Sequence, residues 1–478
     1  METNGRGIDS IVVVGGGVAG LTVLRELRRH GYAGSLTLVD PDGLPYDRPP
    51  LSKGYLLGEK SGEDILLSPP DWFVENRVDL HAGRVREIRP DCGAVLLDDG
   101  REIAADRIVL ATGGTPRRLP VPGGDLPDVL ALRTRDDADR LRAELSPGRR
   151  LVVVGAGLIG AEVASAAAAL GAETTLIEPV DPPLVPAVGP EIARRLHDMH
   201  AEHGVRVITA VPSAIERHAE GFSVHVDPDA ASPAAPRAGA SSAAEPTSTA
   251  PGAPGDLGLT VPADVVLVGI GVRPDTALAE AAGLEVDDGV VVDPSQLTSH
   301  PRVYAVGDAA RTRAADGTLR RRAEHWEHAM HSGTTAAAAL LGLPLPQHGA
   351  PWFWSDRYGV HVEGVGSMVG GETTVLRFAA AEAEAEAVGA EGAVGNAGGG
   401  APGTEPSTEA AAGGASAERG PLVAAFRLGA DGTMIGAAAI DGGALIRAAR
   451  RIIDRGIVVD PVQLADPAVD VKRFARGR

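Results

Sequence analysis

The sequence predicts an α/β protein: two parallel-sheet units of one design, followed by a smaller α+β unit. Three observations predict it. Residues 11–40 read IVVVGGGVAGLTVLRELRRHGYAGSLTLVD, and residues 151–178 read LVVVGAGLIGAEVASAAAALGAETTLIE. Each runs from a β-branched strand through a glycine-rich turn and an Ala/Leu-rich helix to a second strand that ends in an acid, so one βαβ pattern occurs twice. Near the C-terminus the pattern changes, with strand-rich stretches around 360–378 and 421–440 and a helical period over Ala444–Asp454.

The bulk composition fits this division. At 478 residues the chain is too long for one ordinary core. A hydrophobic content of 44% and a charged content of 23% are those of a water-exposed globular protein. The net charge of −19 argues against nucleic acid as a general partner, because no broad basic surface can neutralise phosphates. The single cysteine, Cys92, excludes an intrachain disulfide and a redox-active cysteine pair, and it fits a reducing cytoplasm. Met1–Ser10 is polar, and no stretch approaches the ~20 apolar residues of a membrane helix, so a cytoplasmic location with no membrane contact is expected.

Between the two repeats, Ile103–Gly113 reads as one more buried strand ending in a glycine turn. Asp264–Gly271 and Val303–Asp308 are further strands. Residues 229–256 are Ala/Pro/Ser/Thr-rich and residues 379–420 are Ala/Gly/Glu-rich; neither holds an aromatic, and both read as disordered insertions. Cys92 falls within a hairpin, where a structural or incidental thiol is expected.

The glycines carry the first chemistry. In Gly15-x-Gly17-x-x-Gly20 the first glycine makes the tight turn, the second admits a pyrophosphate to the backbone, and the third lets helix and strand pack closely. The helix N-terminus then presents free N–H groups to the phosphates. Asp40 closes the second strand, 20 residues after Gly20, where a carboxylate can accept ribose hydroxyls. Gly155, Gly157, Gly160 and Glu178 repeat the arrangement. These are two Rossmann-like dinucleotide sites. An acid at Glu178 suits the free 2′-hydroxyl of NAD and repels a 2′-phosphate, and no arginine follows it.

The run Tyr46–Lys53 (YDRPPLSK), the turn Ala111–Gly113, Gly307-Asp308, Trp326-Glu327, PWFWSDRYG (351–359) and LADPAVDVK (464–472) extend the pattern. With them the chain resembles the FAD-dependent NAD(P)H:ferredoxin reductases of oxygenase systems, the putidaredoxin reductase and aromatic-ring dioxygenase reductase type. The resemblance spans nearly the whole chain outside the two insertions. It implies an FAD domain from 8–118 and 258–333, an NAD domain over 119–257, and a C-terminal reductase domain over 334–478. It also implies that Asp308 bonds the ribityl chain of FAD, that Arg48 and Lys53 lie by the flavin, and that Trp326 sits against the flavin and nicotinamide. Val85, Ala111, Thr112, Gly113, Arg117, Gly271 and Gly307 would complete the cofactor surroundings. Lys53, near the reactive flavin N5, would pair with Glu162 where nicotinamide docks. An ammonium there stabilises the negative charge that a reduced flavin develops. Read without the family, Lys53 is a solvated turn lysine and Glu162 an acid at a helix N-terminus.

With no cysteine in the segment that follows the first βαβ unit, and Cys92 farther along the chain in its hairpin, electrons have no protein sulfur beside the flavin to rest on. The implied course is hydride transfer from NADH to flavin, then two single-electron steps to a [2Fe–2S] ferredoxin. An NADH oxidase, an assimilatory-type reductase subunit and a redox-sensing flavoprotein resembling apoptosis-inducing factor remain alternatives on the same fold. Arg311, Arg313, Arg320, Arg321 and Arg322 follow Gly307-Asp308 and form a candidate docking patch for an acidic ferredoxin, although Asp316, Glu324 and Glu327 lie close by. His197, His200 and His203, and His325, His328 and His331, recur every third residue; this rotates them around a helix, so they are expected on helix surfaces and not as metal ligands.

Steady-state kinetics test the cofactor reading. NADH is expected to give a kcat/KM at least about tenfold above that of NADPH, and a preference for NADPH contradicts the role given to Glu178.

Overall fold

The computed structural model describes residues 7–227, 258–379 and 420–476. The stretches expected to be disordered insertions, 229–256 and 379–420, lie outside the described residues except at Ala379 and Gly420.

The first βαβ unit forms as its pattern requires. Strands Ser10–Val14 and Ser35–Asp40 pair in parallel around helix Val18–Arg29, with Val12 opposite Thr37. Their near-continuous apolar runs are buried because a parallel sheet is covered on both faces. Arg107–Leu110 and Val303–Ala305 extend the sheet on one side and Val78–Ala82 on the other, giving five parallel strands. Helix Trp326–Leu340 packs along Val18–Arg29 on one face. The antiparallel sheet Val85–Arg89, Ala94–Leu97 and Glu102–Ala104 belongs to the core on the other.

The second unit repeats the plan. Arg150–Val154, helix Leu158–Ala169 and Glu173–Ile177 form the βαβ core, with Arg206–Ile208 and Val265–Val268 at the edges. It too carries a three-stranded antiparallel sheet, Val211–His218, Gly221–Asp227 and Leu259–Ala263.

Two expectations change here. Leu259–Ala263 and Val265–Val268 complete the sheets of the second unit, so the return to the first unit falls after Val268 and not at 258. The crossing itself is the ribbon of Gly114–Pro116 with Val272–Pro274. Ile103–Gly113 is not one strand but two, Glu102–Ala104 and Arg107–Leu110. The break has a cause: Ala105 N–H turns to Gly93 O, and the Asp106 carboxylate takes the amides of Asp9 and Ser10.

The C-terminal unit is an antiparallel sheet ordered Trp352–Arg357, Val360–Gly366, Met434–Ile440, Leu422–Leu428, Thr373–Phe378. Alternating side chains divide it. Phe426, Ala437 and Val365 face helix Gly443–Asp454, while Ala425, Ala438 and Val362 face Ile192, Leu196 and Met199 of helix Pro190–Glu202. The sheet is thereby clamped against the second unit, and its first strand is carried towards the two glycine turns. The hairpin turn at Cys92 is as expected, and the thiol is exposed.

The third glycine of each turn is a packing requirement. A Cβ on Gly20 would meet Gly15 O at 2.1 Å, and one on Gly160 would meet Gly155 O at 1.9 Å. Replacing Gly160 by alanine is expected to cost about 2 kcal/mol of stability and to weaken NAD binding, as in other overpacked cores. Denaturant unfolding checks this; a neutral substitution contradicts the packing account.

Candidate active site

The two glycine turns are superposable in logic, residue by residue. Gly15 has φ +107° and Gly155 φ +100°. Each packs against a backbone carbonyl at the end of the neighbouring strand, with an added Cβ 2.2 Å from Ala111 O in one case and 2.6 Å from Gly269 O in the other. Gly17 and Gly157 begin their helices with no side-chain cap, leaving first-turn N–H groups available. The space beyond Gly157 is open, as a pyrophosphate approaching the backbone needs.

The acids do more than wait for ribose. Asp40 Oδ2 accepts Gly16 N–H at 2.6 Å, and Glu178 Oε2 accepts Ala156 N–H at 2.7 Å, so each carboxylate also fastens its turn. Burial pushes both pKa values up, against the lowering effect of those amides.

Around the first turn the residues fit a phosphate-bearing cofactor. Arg48 Nη1 stands 3.2 Å from where a Gly17 Cβ would be, and its Nε donates to Arg133 O at 3.3 Å. Burial, then the charge of Arg133, lowers the Arg48 pKa. Arg133 pairs with Asp308 at 2.9 Å, yet its Nε is buried without a partner. Of these two adjoining guanidiniums only Arg133 has a carboxylate within ion-pair distance among the described residues, which leaves positive charge that a diphosphate can meet. Gly307 approaches Ala19 on the fingerprint helix, and its N–H donates to Ser332 Oγ at 2.8 Å, which sets Asp308 beside that helix. Ala111, Thr112 and Gly113 form the neighbouring turn, Thr112 Oγ1 donating to Asp275 O at 2.7 Å. Val85 packs, partly buried, against the core cluster that includes Val14 and Val39. Arg117 and Gly271 bond through their backbones at 2.9 Å, on the ribbon that joins the two units.

Lys53 and Glu162 meet at 3.2 Å, one from each unit. Glu162 is buried on the first turns of its helix, where Ser52 Oγ donates to it at 2.5 Å and Ser355 Oγ at 2.6 Å. Lys53 also lies 3.7 Å from Asp356 and 5.9 Å from the ring of Trp354. Trp326 Nε1 donates to Asp47 at 2.9 Å, and its ring meets Trp354 edge-on at 6.2 Å. A cavity of about 540 Å³, lined by Ser52, Lys53, Glu162, Asp356 and Tyr358 among others, opens beside the pair. Ser52, Ser355, Asp356, Arg357 and Arg133 were not singled out from sequence. The available signals were the run YDRPPLSK for Ser52 and the aromatic cluster PWFWSDRYG, in a chain with only 3% aromatics, for Ser355, Asp356 and Arg357.

His197 and His200 correct the expectation of helix-surface histidines, while His203 is exposed as expected. His200 is fully buried and His197 nearly so, because the C-terminal sheet covers this helix. His200 Nδ1 meets Tyr358 Oη at 2.7 Å, and His203 stacks on the same ring. His325 caps the helix Trp326–Leu340, accepting His328 N–H, and His331 stacks on His348. Among the described residues no cluster of three metal-ligating side chains occurs. The arginine patch is also narrower than expected. Arg311 pairs with Asp287, Arg313 with Glu285, and Arg322 with Asp288 and Glu324. Arg320 and Arg321 are exposed.

A fold of two dinucleotide turns facing one lysine–glutamate joint defines a two-cofactor oxidoreductase. The pyridine nucleotide-disulphide oxidoreductase model matches residues 9–333, and the reductase C-terminal model matches 352–394 and 404–475. The chain belongs to that oxidoreductase family. Within it, rhodocoxin reductase of Rhodococcus erythropolis is 35% identical over 370 residues, 77% of this chain and 80% of its own length. The ferredoxin–NAD(+) reductase component of the anthranilate 1,2-dioxygenase system of Burkholderia cepacia is 35% identical over 473 residues, 98% of this chain and 99% of its own. A chain of the covalent putidaredoxin reductase–putidaredoxin complex superposes with a TM-score of 0.77 at 29% identity, covering 99% of this chain and 100% of that chain. A water-forming NADH oxidase from Lactobacillus brevis, at 16% identity and a TM-score of 0.73, shares the fold alone.

Proposed function

We propose that this chain is an FAD-dependent NADH:ferredoxin reductase that supplies electrons to an oxygenase. FAD and NAD are its cofactors: FAD, when bound, accepts a hydride equivalent from NADH and gives its electrons up singly. The observation that carries the reading is the 3.2 Å contact between Lys53 and Glu162, since it brings the two nucleotide-binding units to one point.

The residues have separable tasks. The uncapped helix starts at Gly17 and Gly157 bind phosphate, assisted on the first side by Arg48 and Arg133. Asp40 and Glu178 bind ribose hydroxyls with lone pairs left over from the turn amides. Lys53 supplies positive charge where negative charge develops, and Glu162 orients it. Trp326, tied to Asp47, forms an aromatic wall. Cys92 is exposed on a distant hairpin, so the disulphide chemistry in the family's description has no thiol pair here.

An acidic iron–sulfur ferredoxin is the partner. Arg320 and Arg321 are the arginines of the patch left for it, because Arg311, Arg313 and Arg322 already hold acids.

Cytochrome c reduction by the FAD-loaded protein and NADH, with and without a [2Fe–2S] ferredoxin, tests the reading. Ferredoxin is expected to accelerate it at least about tenfold, with charge reversal at Arg320 and Arg321 raising the ferredoxin KM several-fold. Indifference to several ferredoxins, with NADH consumed in air, indicates an oxidase instead; near-absent turnover with a long-lived NADH complex indicates a sensor.

A further inference from the structure

Glu162 is 5% exposed, and a buried carboxylate must keep a counter-charge. Lys53 provides one, yet Lys53 has two acids within reach: buried Glu162 at 3.2 Å and the more exposed Asp356 at 3.7 Å. A swing towards Asp356, or towards a bound cofactor, takes that ammonium away from Glu162. What stays is Ser52 Oγ at 2.5 Å, Ser355 Oγ at 2.6 Å and, behind Ser355, the guanidinium of Arg357.

Arg357 is 3% exposed. Its Nη2 donates to Ser355 Oγ at 3.3 Å, and Ser355 in turn donates to Glu162, so the two hydrogen bonds point the same way and reinforce each other. Its Nε is buried without a partner, and among the described residues no carboxylate lies within ion-pair distance of it. Glu162 is the acid whose field acts most strongly on this guanidinium. A buried cation and a buried anion are thus joined through one serine.

We propose that Arg357, acting through Ser355, is the fixed counter-ion of Glu162: a positioning residue of the C-terminal domain that leaves Lys53 free to move between Glu162 and Asp356. The inference rests on the reading of Lys53–Glu162 as the joint where nicotinamide docks. It gives the C-terminal domain a part in the nicotinamide site.

The other titratable groups around this network are few. From helix Pro190–Glu202, His200 is pushed down to about 3 by burial and then by the charge of Arg357, and His197 is lowered by burial. Burial pushes Tyr358 up. Both His200 and Tyr358 therefore stay uncharged near neutrality. Glu59 and His203 border the adjoining cavity, and His361 hydrogen-bonds Asp356 on its outer side.

Two readouts test the proposal, in wild type, Arg357→Gln, Arg357→Lys and Ser355→Ala. The first is an infrared titration of the purified protein from about pH 8 to about pH 5, following the carboxylic acid C=O stretch that a Glu162→Gln background removes. Arg357→Gln is expected to bring that band in at least about one pH unit above wild type, an approximately tenfold shift in proton affinity. Ser355→Ala is expected to shift it in the same direction, and Arg357→Lys to restore most of the wild-type behaviour. The second is the pH dependence of FAD reduction by NADH. In Arg357→Gln the rate is expected to fall about tenfold at the acid end while holding near pH 8. Superimposable infrared titrations, or a uniform loss at every pH that lysine fails to rescue, overturn the role of Arg357. Should Arg357→Gln fail to fold, Ser355→Ala and Arg357→Lys decide by the same criteria. A protein that NADH does not reduce at any pH contradicts the functional reading, while the infrared titration still decides on Arg357.

Discussion

The carboxylate of Glu162 sits where the three structural units of the chain meet, and most of the architecture answers its need for partners. Taking an ionised acid out of water is expensive, so its oxygens must be filled by donors and charge. The first unit brings Ser52 and Lys53, the C-terminal sheet brings Ser355, and the second unit provides the helix that carries the acid. The clamp of the C-terminal sheet on helix Pro190–Glu202 carries Ser355 towards Glu162, and the shared core of Leu51, Tyr55 and Leu56 with Val163 and Ala164 holds Ser52 and Lys53 against it. Breaking that junction would part the two nucleotide-binding units at the Lys53–Glu162 contact.

Each nucleotide turn obeys a second constraint, imposed by backbone carbonyls and not by side chains. The first glycine lies against the neighbouring strand end and the third against the first, so neither position has room for a Cβ. The acid at the end of the second strand then fixes the turn by taking an amide, at 2.6 Å in one unit and 2.7 Å in the other. The duplication is thus one of hydrogen bonding as well as of fold. The units diverge in what surrounds the turn: Arg48 and Arg133 crowd the first, whereas the space beyond Gly157 is open at the second.

This explains what the sequence could show. The third glycine and the acid were legible because each is fixed by contacts within a single βαβ unit, whereas the first glycine packs on Ala111 O or Gly269 O from a strand end outside it. Lys53 and Glu162 were legible through the family resemblance, since their 3.2 Å contact joins residues far apart in the chain. Ser355 and Arg357 were marked only as part of PWFWSDRYG, and Arg133 carried no local signal; their roles depend on a sheet or loop arriving from another unit. The same non-locality misplaced the return to the first unit, because Val265–Val268 finds its partner in Arg150–Val154. It also misread His200, whose burial comes from Tyr358 and the C-terminal sheet. The arginine patch is narrowed for a similar reason: Glu285, Asp287 and Asp288, which occupy three of its members, lie on a separate loop.

The measurement that bears most directly on the central claim is a double-mutant cycle on Lys53 and Glu162, read by rapid-mixing reduction of bound FAD by NADH. If the pair acts as one joint, Lys53→Met and Glu162→Gln each slow flavin reduction by about tenfold or more, and the double variant is little worse than the slower single one. Rates that multiply as independent losses, or a Lys53→Met variant reduced as fast as wild type, would contradict the account.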